Sequence, residues 1–280
     1  MSKMGPPAIR AHALASDSMA ETPETPETTE TPPADEPSRA EESAREGADS
    51  SAAGLLGRAD PDEARATPVR REEIQMIDDP RGQIAEQFRS LRNSVIALNP
   101  DGAPRTVVLT SAVEGEGKTV SSLNLAIALA ELPGTQVLVV DGDLHVPAVE
   151  EYLGVPRRQG LADVLRGTCA IDAAIRSSSI AQVSLMGAGT LPENPSKLLG
   201  SQRMRTVLNS LKQRYSYVLI DTPAAMSISD ASLLGAIADG VVLVVRLEST
   251  PRPYVEQTLN DLEAMGGNVL GTCLTGARPH

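Results

Sequence analysis

The spacing of hydrophobic residues predicts one helix followed by a long region of alternating strands and helices. From Gln83 to Leu98 apolar residues recur every three or four positions, as on one face of an amphipathic helix. These apolar positions are Ile84, Phe88, Leu91, Val95 and Leu98. From Thr106 onward, nearly continuous Val, Leu and Ile runs alternate with segments of helical period. The predicted strands are residues 106–111, 136–141, 183–187, 217–221, 240–246 and 268–274, and the predicted helices are residues 118–131, 161–167, 195–213, 228–237 and 254–264.

This alternation indicates an α/β fold. Strands that are apolar on both faces are typical of a parallel sheet covered by helices. We therefore expect a mostly parallel sheet with helices on both faces, occupying residues 69–280. Asn194 is positioned to cap the helix that begins at Pro195, because proline is favoured in a first helical turn.

Residues 1–68 have a different composition and predict a disordered tail. The segment AETPETPETTETPPADEP contains no Lys or Arg between Ala20 and Pro37. Such a stretch buries too little apolar surface to offset the entropy of ordering. It is either a solvated linker or a tether that is phosphorylated at Thr-Pro positions.

Composition excludes several classes of function. The formal net charge is −12 and aromatic residues make up 2%, which disfavours nucleic-acid binding by charge or by base stacking. The two cysteines and three histidines lack the spacing of a metal cluster. No segment approaches the about 20 apolar residues of a membrane span, and the N-terminus lacks the apolar core of a secretory signal. We expect a cytoplasmic protein that reaches the inner face of the plasma membrane through a partner.

The segment VVLTSAVEGEGKTV predicts a phosphate-binding loop between a strand and a helix. Glycines let successive backbone N–H groups converge on phosphate oxygens, and the helix N-terminus adds positive potential. In this pattern Lys118 reaches the β- and γ-phosphates and the Thr119 hydroxyl ligates Mg²⁺. The first glycine of the general GxxxxGK[ST] pattern is replaced by Ala112, which is small enough to follow a similar path.

Acidic residues follow two other predicted strands. Asp141 and Asp143 come just after the strand at 136–141, and Asp221 ends the strand at 217–221. Ligands of open parallel sheets bind outside the carboxyl ends of the strands. Aspartate is also common in strand-end turns, but three such residues beside a phosphate loop favour a magnesium site.

Five segments in sequence order resemble one known family, the bacterial tyrosine kinases (BY-kinases) of capsular and exopolysaccharide synthesis. The resemblance runs from about Glu73 to Gly276. The segments are EQFRSLR, TSAVEGEGKTVSSLNLAIALA, VLVVDGDLHVP, LMGAGTLPENPSKLLGSQRM and YSYVLIDTPAAMSISDASLLGAIADGVVLVVR, the second, third and fifth being similar to the family's Walker A, Walker A′ and Walker B segments.

The resemblance implies an ATP-dependent protein-tyrosine kinase of the P-loop NTPase fold. It implies catalytic roles for Lys118, Asp141 and Asp143, with Asp141 taking the tyrosine proton. Thr119, Asp143 and Asp221 would hold Mg²⁺, and the ATP-binding residues would be Glu114, Gly115, Glu116, Gly117, Lys118, Thr119 and Val120.

The resemblance also implies partners. Family members are switched on by a membrane-embedded chain-length regulator (a polysaccharide co-polymerase), which would here be a separate chain. Their ExxRxxR helix joins subunits into a ring, and the matching residues are Glu86, Arg89 and Arg92. A charged helix face of this kind is otherwise commonly just solvated.

Two departures keep a second function open. His145 stands where the family's Asp-x-Asp-x-Arg motif has arginine, and the chain ends LGTCLTGARPH without a tyrosine cluster. Tyr215 and Tyr217 flank a predicted strand and are expected to be packed. The alternative is therefore an ATP-binding or ATP-hydrolysing regulatory subunit of the polysaccharide machinery. A cargo-positioning ATPase of the ParA/MinD type is less favoured, because Val113 occupies the position of its extra lysine.

Overall fold

The structure is a computed structural model that describes residues 11–12, 71–103 and 105–276, and the side chains of 72–103 and 105–276. The tail predicted for residues 1–68 lies outside the described residues, apart from 11–12. The strands are β1 (Ala11–His12), β2 (Arg105–Ser111), β3 (Val137–Asp141), β4 (Arg176–Ser177), β5 (Val183–Met186), β6 (Tyr217–Asp221), β7 (Gly240–Arg246) and β8 (Val269–Thr275). The helices are α1 (Gln75–Asp78), α2 (Gln83–Ala97), α3 (Lys118–Ala130), α4 (Val149–Tyr152), α5 (Leu161–Arg166), α6 (Ile171–Ala174), α7 (Pro195–Leu199), α8 (Gln202–Lys212), α9 (Asp230–Gly235) and α10 (Arg252–Ala264).

Within the described residues these strands form one sheet in the order β1-β8-β7-β2-β6-β3-β5-β4. The six strands from β8 to β5 are parallel, and the two-residue strands β1 and β4 pair antiparallel at the edges. The mostly parallel sheet is confirmed, and each of the six predicted strands forms with its ends within one residue of the predicted range.

Successive residues of the central strands face opposite sides of the sheet, and each side is covered by helices. Val107 and Leu109 of β2 pack in a cluster with α1, α2 and α3. Val108, between them, packs in a second cluster with α5, α7 and α8. Helices on both faces are thus confirmed, and they explain why these strands are apolar without alternation.

The helix predictions were wrong in two details. Residues 195–213 form two helices, because the Ser201 side chain accepts a hydrogen bond from the Met204 N–H and starts α8 anew. Leu98 is 45% exposed at the end of α2, whereas the other four apolar positions of that helix are buried. The Asn194 cap is confirmed: its Oδ1 accepts from the Lys197 N–H at 3.1 Å. None of the described helices combines the length and apolar character needed to cross a membrane.

The topology places β2, β6 and β3 side by side at the centre of the sheet. In their parallel register Leu109 of β2 lies beside Asp221 of β6, and Asp221 lies beside Asp141 of β3. The loop that follows β2 and both strand-end acids therefore meet at one edge of the sheet.

Candidate active site

The loop between β2 and α3 has the backbone of a phosphate cradle. Gly115 and Gly117 have φ values of 77° and 92°, a left-handed conformation that glycine adopts at little cost. Gly117 is the N-cap of α3, so the loop delivers its N–H groups to the positive end of a 13-residue helix. Ala112 is buried, and among the described residues the non-glycine positions with positive φ are Gln182 and Glu248. Ala112 therefore fills the first-glycine position without backbone strain.

Glu116 braces this loop against the neighbouring strands. Its carboxylate is buried and accepts hydrogen bonds from the Val113 N–H at 3.0 Å, the Arg246 N–H at 2.9 Å and the Thr250 hydroxyl. Its carbonyl oxygen accepts from the Thr275 hydroxyl at 2.8 Å. The side chain therefore joins the loop to the end of β7, and the backbone carbonyl joins it to the end of β8. Glu114, two positions earlier, is exposed. Nothing in the sequence pattern distinguished the two glutamates.

Thr119 and Asp221 lie in contact at the start of α3. The Thr119 hydroxyl donates to Asp221 Oδ2 at 2.5 Å, and the Ser122 hydroxyl, one turn later, is 3.3 Å from Asp221 Oδ1. Burial raises the pKa of Asp221 to about 6, while the Thr119 hydrogen bond and the positive charge of Lys118 act to lower it. The negative charge of Asp221 is therefore only partly balanced by nearby positive charge.

Asp141 is completely buried, and its carboxylate is occupied by the backbone. Oδ2 accepts from the N–H groups of Ala148 and Val149 at 3.0 Å each, and Oδ1 accepts from the Asp143 N–H at 3.2 Å. Burial, followed by the negative charge of Asp221, raises its pKa well above the usual range. Asp141 organises the segment from 142 to 149 and has no surface open to a substrate in this conformation.

Gly142 allows the two acidic strand ends to come together. Its N–H donates to the Asp221 carbonyl at 2.7 Å. A Cβ atom at this position would lie 2.8 Å from that same carbonyl oxygen and 2.9 Å from Ile220 Cγ2. A larger residue would push β3 and β6 apart at the point where Asp141 and Asp221 are neighbours.

Asp143 is the more accessible acid of its motif. It is half-buried, and its Oδ1 closes a turn by accepting from the N–H groups of His145 and Val146 at 3.0 and 2.8 Å. His145 Nε2 lies 2.9 Å from Oδ2 of the buried Asp230, whose Oδ1 accepts from the Ser196 hydroxyl. The histidine that replaces the family arginine is thus held by Asp230 of α9, which is itself bound by Ser196 of α7. Asp230 and Ser196 were not anticipated from the sequence.

The donor set fits Mg²⁺ bound together with a nucleotide. Within the described residues no group of three His, Cys, Asp or Glu side chains is placed to hold a metal ion by itself. Mg²⁺ is commonly held by one or two protein oxygens plus substrate phosphates and water, rather than by a closed protein cage. Thr119 Oγ1 and Asp221 Oδ2 supply such a pair of oxygens, and the raised pKa of Asp221 marks the charge that a cation would neutralise.

The charged face of α2 is engaged within the chain. Arg89 binds Glu131, which ends α3, through Nε at 2.8 Å and Nη2 at 2.5 Å, and its Nη1 lies 2.6 Å from Glu86. Arg92 reaches the same Glu131 at 3.1 Å and the Ala128 carbonyl at 3.1 Å. The arginines therefore cap the negative end of the phosphate-loop helix.

Comparison with known proteins agrees with this geometry. Residues 105–268 match a family described as an AAA domain. Tyrosine-protein kinase YwqD of Bacillus subtilis is 30% identical over 214 residues, which are 76% of this chain and 90% of that protein. The solved kinase domain of the Escherichia coli tyrosine kinase ETK is 28% identical, with a TM-score of 0.70 over 73% of this chain and 80% of that one.

A solved septum site-determining protein MinD from Pyrococcus horikoshii, in complex with Mg-ADP, is 29% identical with a TM-score of 0.53 over 60% of this chain and 69% of that one. By TM-score and coverage, the structure is more similar to the tyrosine-kinase domain than to MinD. This agrees with the expectation from Val113, which replaces the extra lysine of the MinD type. The fold and the loop after β2 place this chain in the class of P-loop NTPase folds. The chain belongs to the bacterial tyrosine-kinase family.

Proposed function

We propose that this protein is an ATP-dependent protein-tyrosine kinase that regulates polymerisation and export of a capsular polysaccharide or exopolysaccharide. The observation that carries the proposal is the contact between Thr119 Oγ1 and Asp221 Oδ2, 2.5 Å apart, at the helix end that follows a left-handed glycine loop. A hydroxyl and a carboxylate at that position are what a P-loop enzyme uses to hold the cation of a nucleotide.

In this proposal the N–H groups of residues 114–120 bind the ATP phosphates, and Lys118 contacts the β- and γ-phosphates. Mg²⁺, when bound, supplies positive charge to the phosphates. Thr119 and Asp221 hold it, with Asp143 acting directly or through water. Phosphoryl transfer needs mainly positioning and neutralisation of charge, which these groups provide.

The acceptor hydroxyl requires a carboxylate to take its proton. Asp141 is the residue that the family resemblance implies, and burial raises the pKa of its carboxyl, which makes the ionised form a stronger base than an ordinary aspartate. Because Asp141 is buried under the 142–149 segment, that role requires the segment to shift when substrates bind. Asp143, already accessible, would then bind metal or orient the hydroxyl.

The proposed partner is a membrane-embedded polysaccharide co-polymerase on a separate chain, which would recruit this protein to the inner face of the plasma membrane. We also propose a homo-oligomer that uses the α2 face. Because Arg89 and Arg92 already bind Glu131, the subunit contact would depend on Glu86, whose side chain is 65% exposed, and on the outer edges of the arginines.

The second candidate is an ATP-driven regulatory subunit that does not phosphorylate itself. Two observations favour it: three of the chain's four tyrosines are buried, and His145, which is bound to Asp230, stands where the family motif has an arginine that is always charged.

Mapping of phosphorylated residues separates the two candidates. The purified protein is incubated with Mg·ATP and a cytoplasmic fragment of its candidate activator, and products are analysed by mass spectrometry and ADP assay. We expect phosphotyrosine that disappears in Asp141→Asn and Lys118→Met. ADP release without phosphotyrosine would support the regulatory subunit, and full transfer by either variant would remove the catalytic assignment.

A further inference from the structure

One peptide group joins Asp141 to an arginine further along the chain. The Ala148 N–H donates to Asp141 Oδ2 at 3.0 Å, and the Pro147 carbonyl oxygen of the same peptide group accepts from Arg157 Nη2 at 2.9 Å. We propose that Arg157 is a positioning residue, which holds the 142–149 segment closed over Asp141 until substrates bind. The proposal rests on the kinase function proposed above.

The two hydrogen bonds of this peptide group strengthen each other. A guanidinium that binds the carbonyl oxygen polarises the peptide group, so its N–H becomes a better donor to a carboxylate. Arg157 therefore acts on Asp141 without contacting it. Loss of the guanidinium would weaken one of the contacts that enclose the carboxylate.

The loop that carries Arg157 is fixed by a second arginine. Arg176 of β4 donates through Nη1 to the Pro156 carbonyl at 2.8 Å and through Nη2 to Glu150 Oε1. Glu150 is buried against Gly187, where an added Cβ atom would lie 2.4 Å from the Glu150 Cδ. Because these contacts hold the loop in place, Arg157 keeps its position while the segment that it binds can move.

The segment over the acid is anchored near its ends and exposed in its middle. Leu144 and Val149 are buried in the two hydrophobic clusters on opposite faces of the sheet. Val146, between them, is 75% exposed. A movement of residues 145–148 can therefore free one side of the Asp141 carboxylate without exposing either cluster.

The contact made by Arg157 suits a reversible restraint. Arg157 is exposed, so its guanidinium can exchange the Pro147 carbonyl for water. Such a restraint lowers the fraction of molecules in which Asp141 is open to an acceptor hydroxyl, and the apparent affinity for the acceptor falls by that fraction. Residues 114–120, which are proposed to bind ATP, are not part of the restraint. We therefore expect Arg157 to affect the KM for the acceptor and not the KM for ATP.

Kinetics of the full-length Arg157→Met variant test the proposal, because methionine is unbranched but has no donor. The acceptor is a synthetic copolymer of Glu, Lys, Ala and Tyr with balanced charge, used with Mg·ATP in the presence and absence of the activator fragment. Without the fragment we expect kcat/KM for the copolymer to rise about five- to tenfold and the KM for ATP to stay unchanged. Arg157→Lys, which keeps a cationic donor, should recover most of the wild-type behaviour. Arg205→Met, at an exposed arginine of α8, is the matched control and should equal the wild type.

Hydrogen exchange of the nucleotide-free protein reports on the segment independently of kinase activity. Peptides that contain the Ala148 and Val149 amides are followed by mass spectrometry. We expect these amides to exchange about five- to tenfold faster in Arg157→Met than in the wild type. Peptides from α10 are the internal control and should not change.

The two measurements together decide the matter. Faster exchange and a higher kcat/KM, both reversed in Arg157→Lys, support the proposal. Unchanged exchange in Arg157→Met shows that Arg157 does not hold the segment and overturns it. Faster exchange with an unchanged or lower kcat/KM shows that the closed segment does not restrain transfer, which also overturns it. If no chain phosphorylates the copolymer even with the activator fragment, the proposed function has failed, and the exchange result still decides whether Arg157 holds the segment.

Discussion

The two ends of helix α3 carry acids in opposite electrostatic situations. At its N-terminal end Asp221 is buried beside Asp141, and burial raises the pKa of both carboxyls. At its C-terminal end Glu131 is bound by two arginines, and the hydrogen bond from Arg89 lowers its pKa. At the N-terminal end, Lys118 balances the negative charge of the buried acids only in part, whereas at the C-terminal end Glu131 is paired with two arginines.

The difference indicates which cluster serves stability and which serves a ligand. A paired surface acid stabilises the ligand-free fold modestly. A buried pair of acids without matching positive charge costs stability, and such strain is concentrated at functional sites. This contrast supports the proposal that the N-terminal end of α3 binds a cation and a nucleotide.

The largest expected effect is at Lys118. We expect Lys118→Met to lower the rate of phosphoryl transfer by about 100-fold or more, because it removes the positive charge that stabilises the transferred phosphoryl group. Lys197→Met, at an exposed lysine of α7, is the matched control and should keep wild-type rates. Initial rates at saturating Mg·ATP measure both, and equal rates in the two variants would contradict the role of Lys118.

Asp221→Asn should separate stability from activity. Because the folded pKa of Asp221, about 6, lies above its ordinary value of 3.8, the ionised form costs stability as pH rises through that interval and remains costly above it. The variant should abolish transfer yet stabilise the nucleotide-free protein by about 1–3 kcal/mol at pH 8, with almost no gain at pH 3.5.

Urea unfolding of both proteins without nucleotide, at the two pH values, measures the difference between them. Mg·ATP should then stabilise the wild type more than Asp221→Asn. A variant less stable than the wild type at pH 8 would show that the acid is not electrostatically strained.

Glu116→Ala should have an intermediate effect. Removing the brace leaves the Val113 and Arg246 N–H groups without their partner, at a cost of about 1–3 kcal/mol. Because the loop loses its preformed shape, we expect the KM for ATP to rise about tenfold with a smaller change in kcat. Glu116→Gln should recover part of the loss, and Glu114→Ala, in the same loop but exposed, should resemble the wild type.

The smallest effect is expected at the paired end. Arg89→Ala should lower stability by about 1 kcal/mol or less, because the partly exposed pair is screened by solvent. Glu131 contributes this stability above its ordinary pKa of 4.5, and the contribution disappears as pH falls through its lowered pKa. Thermal unfolding at pH 7 and pH 3.5 measures it. A change in oligomeric state by light scattering, without loss of stability, would instead assign Arg89 to the subunit contact.

The sequence predicted the central sheet well because each of its strands carries its own signal. The apolar runs that became β2, β3, β6 and β7 are buried on both faces, and that pattern is typical of a covered parallel strand. The short helices α1, α4 and α6 and the edge strands β1 and β4 were missed, since four residues or fewer carry too little periodicity to detect. β1 lies at residues 11–12, within the segment predicted to be disordered.

The sequence alone determined the chemical components of this protein: a glycine loop with Lys118 and Thr119, acids at strand ends, and the order in which they occur. These follow from local spacing. Only the tertiary structure decided what each acid contacts: Glu116 turned to β7, Asp141 enclosed by backbone amides, Glu131 clamped by α2. The Arg89 partner of Glu131 lies 42 positions away, and the Arg246 and Thr250 partners of Glu116 lie 130 and 134 positions away. Such contacts are set by how strands and helices pack together, which local spacing does not specify.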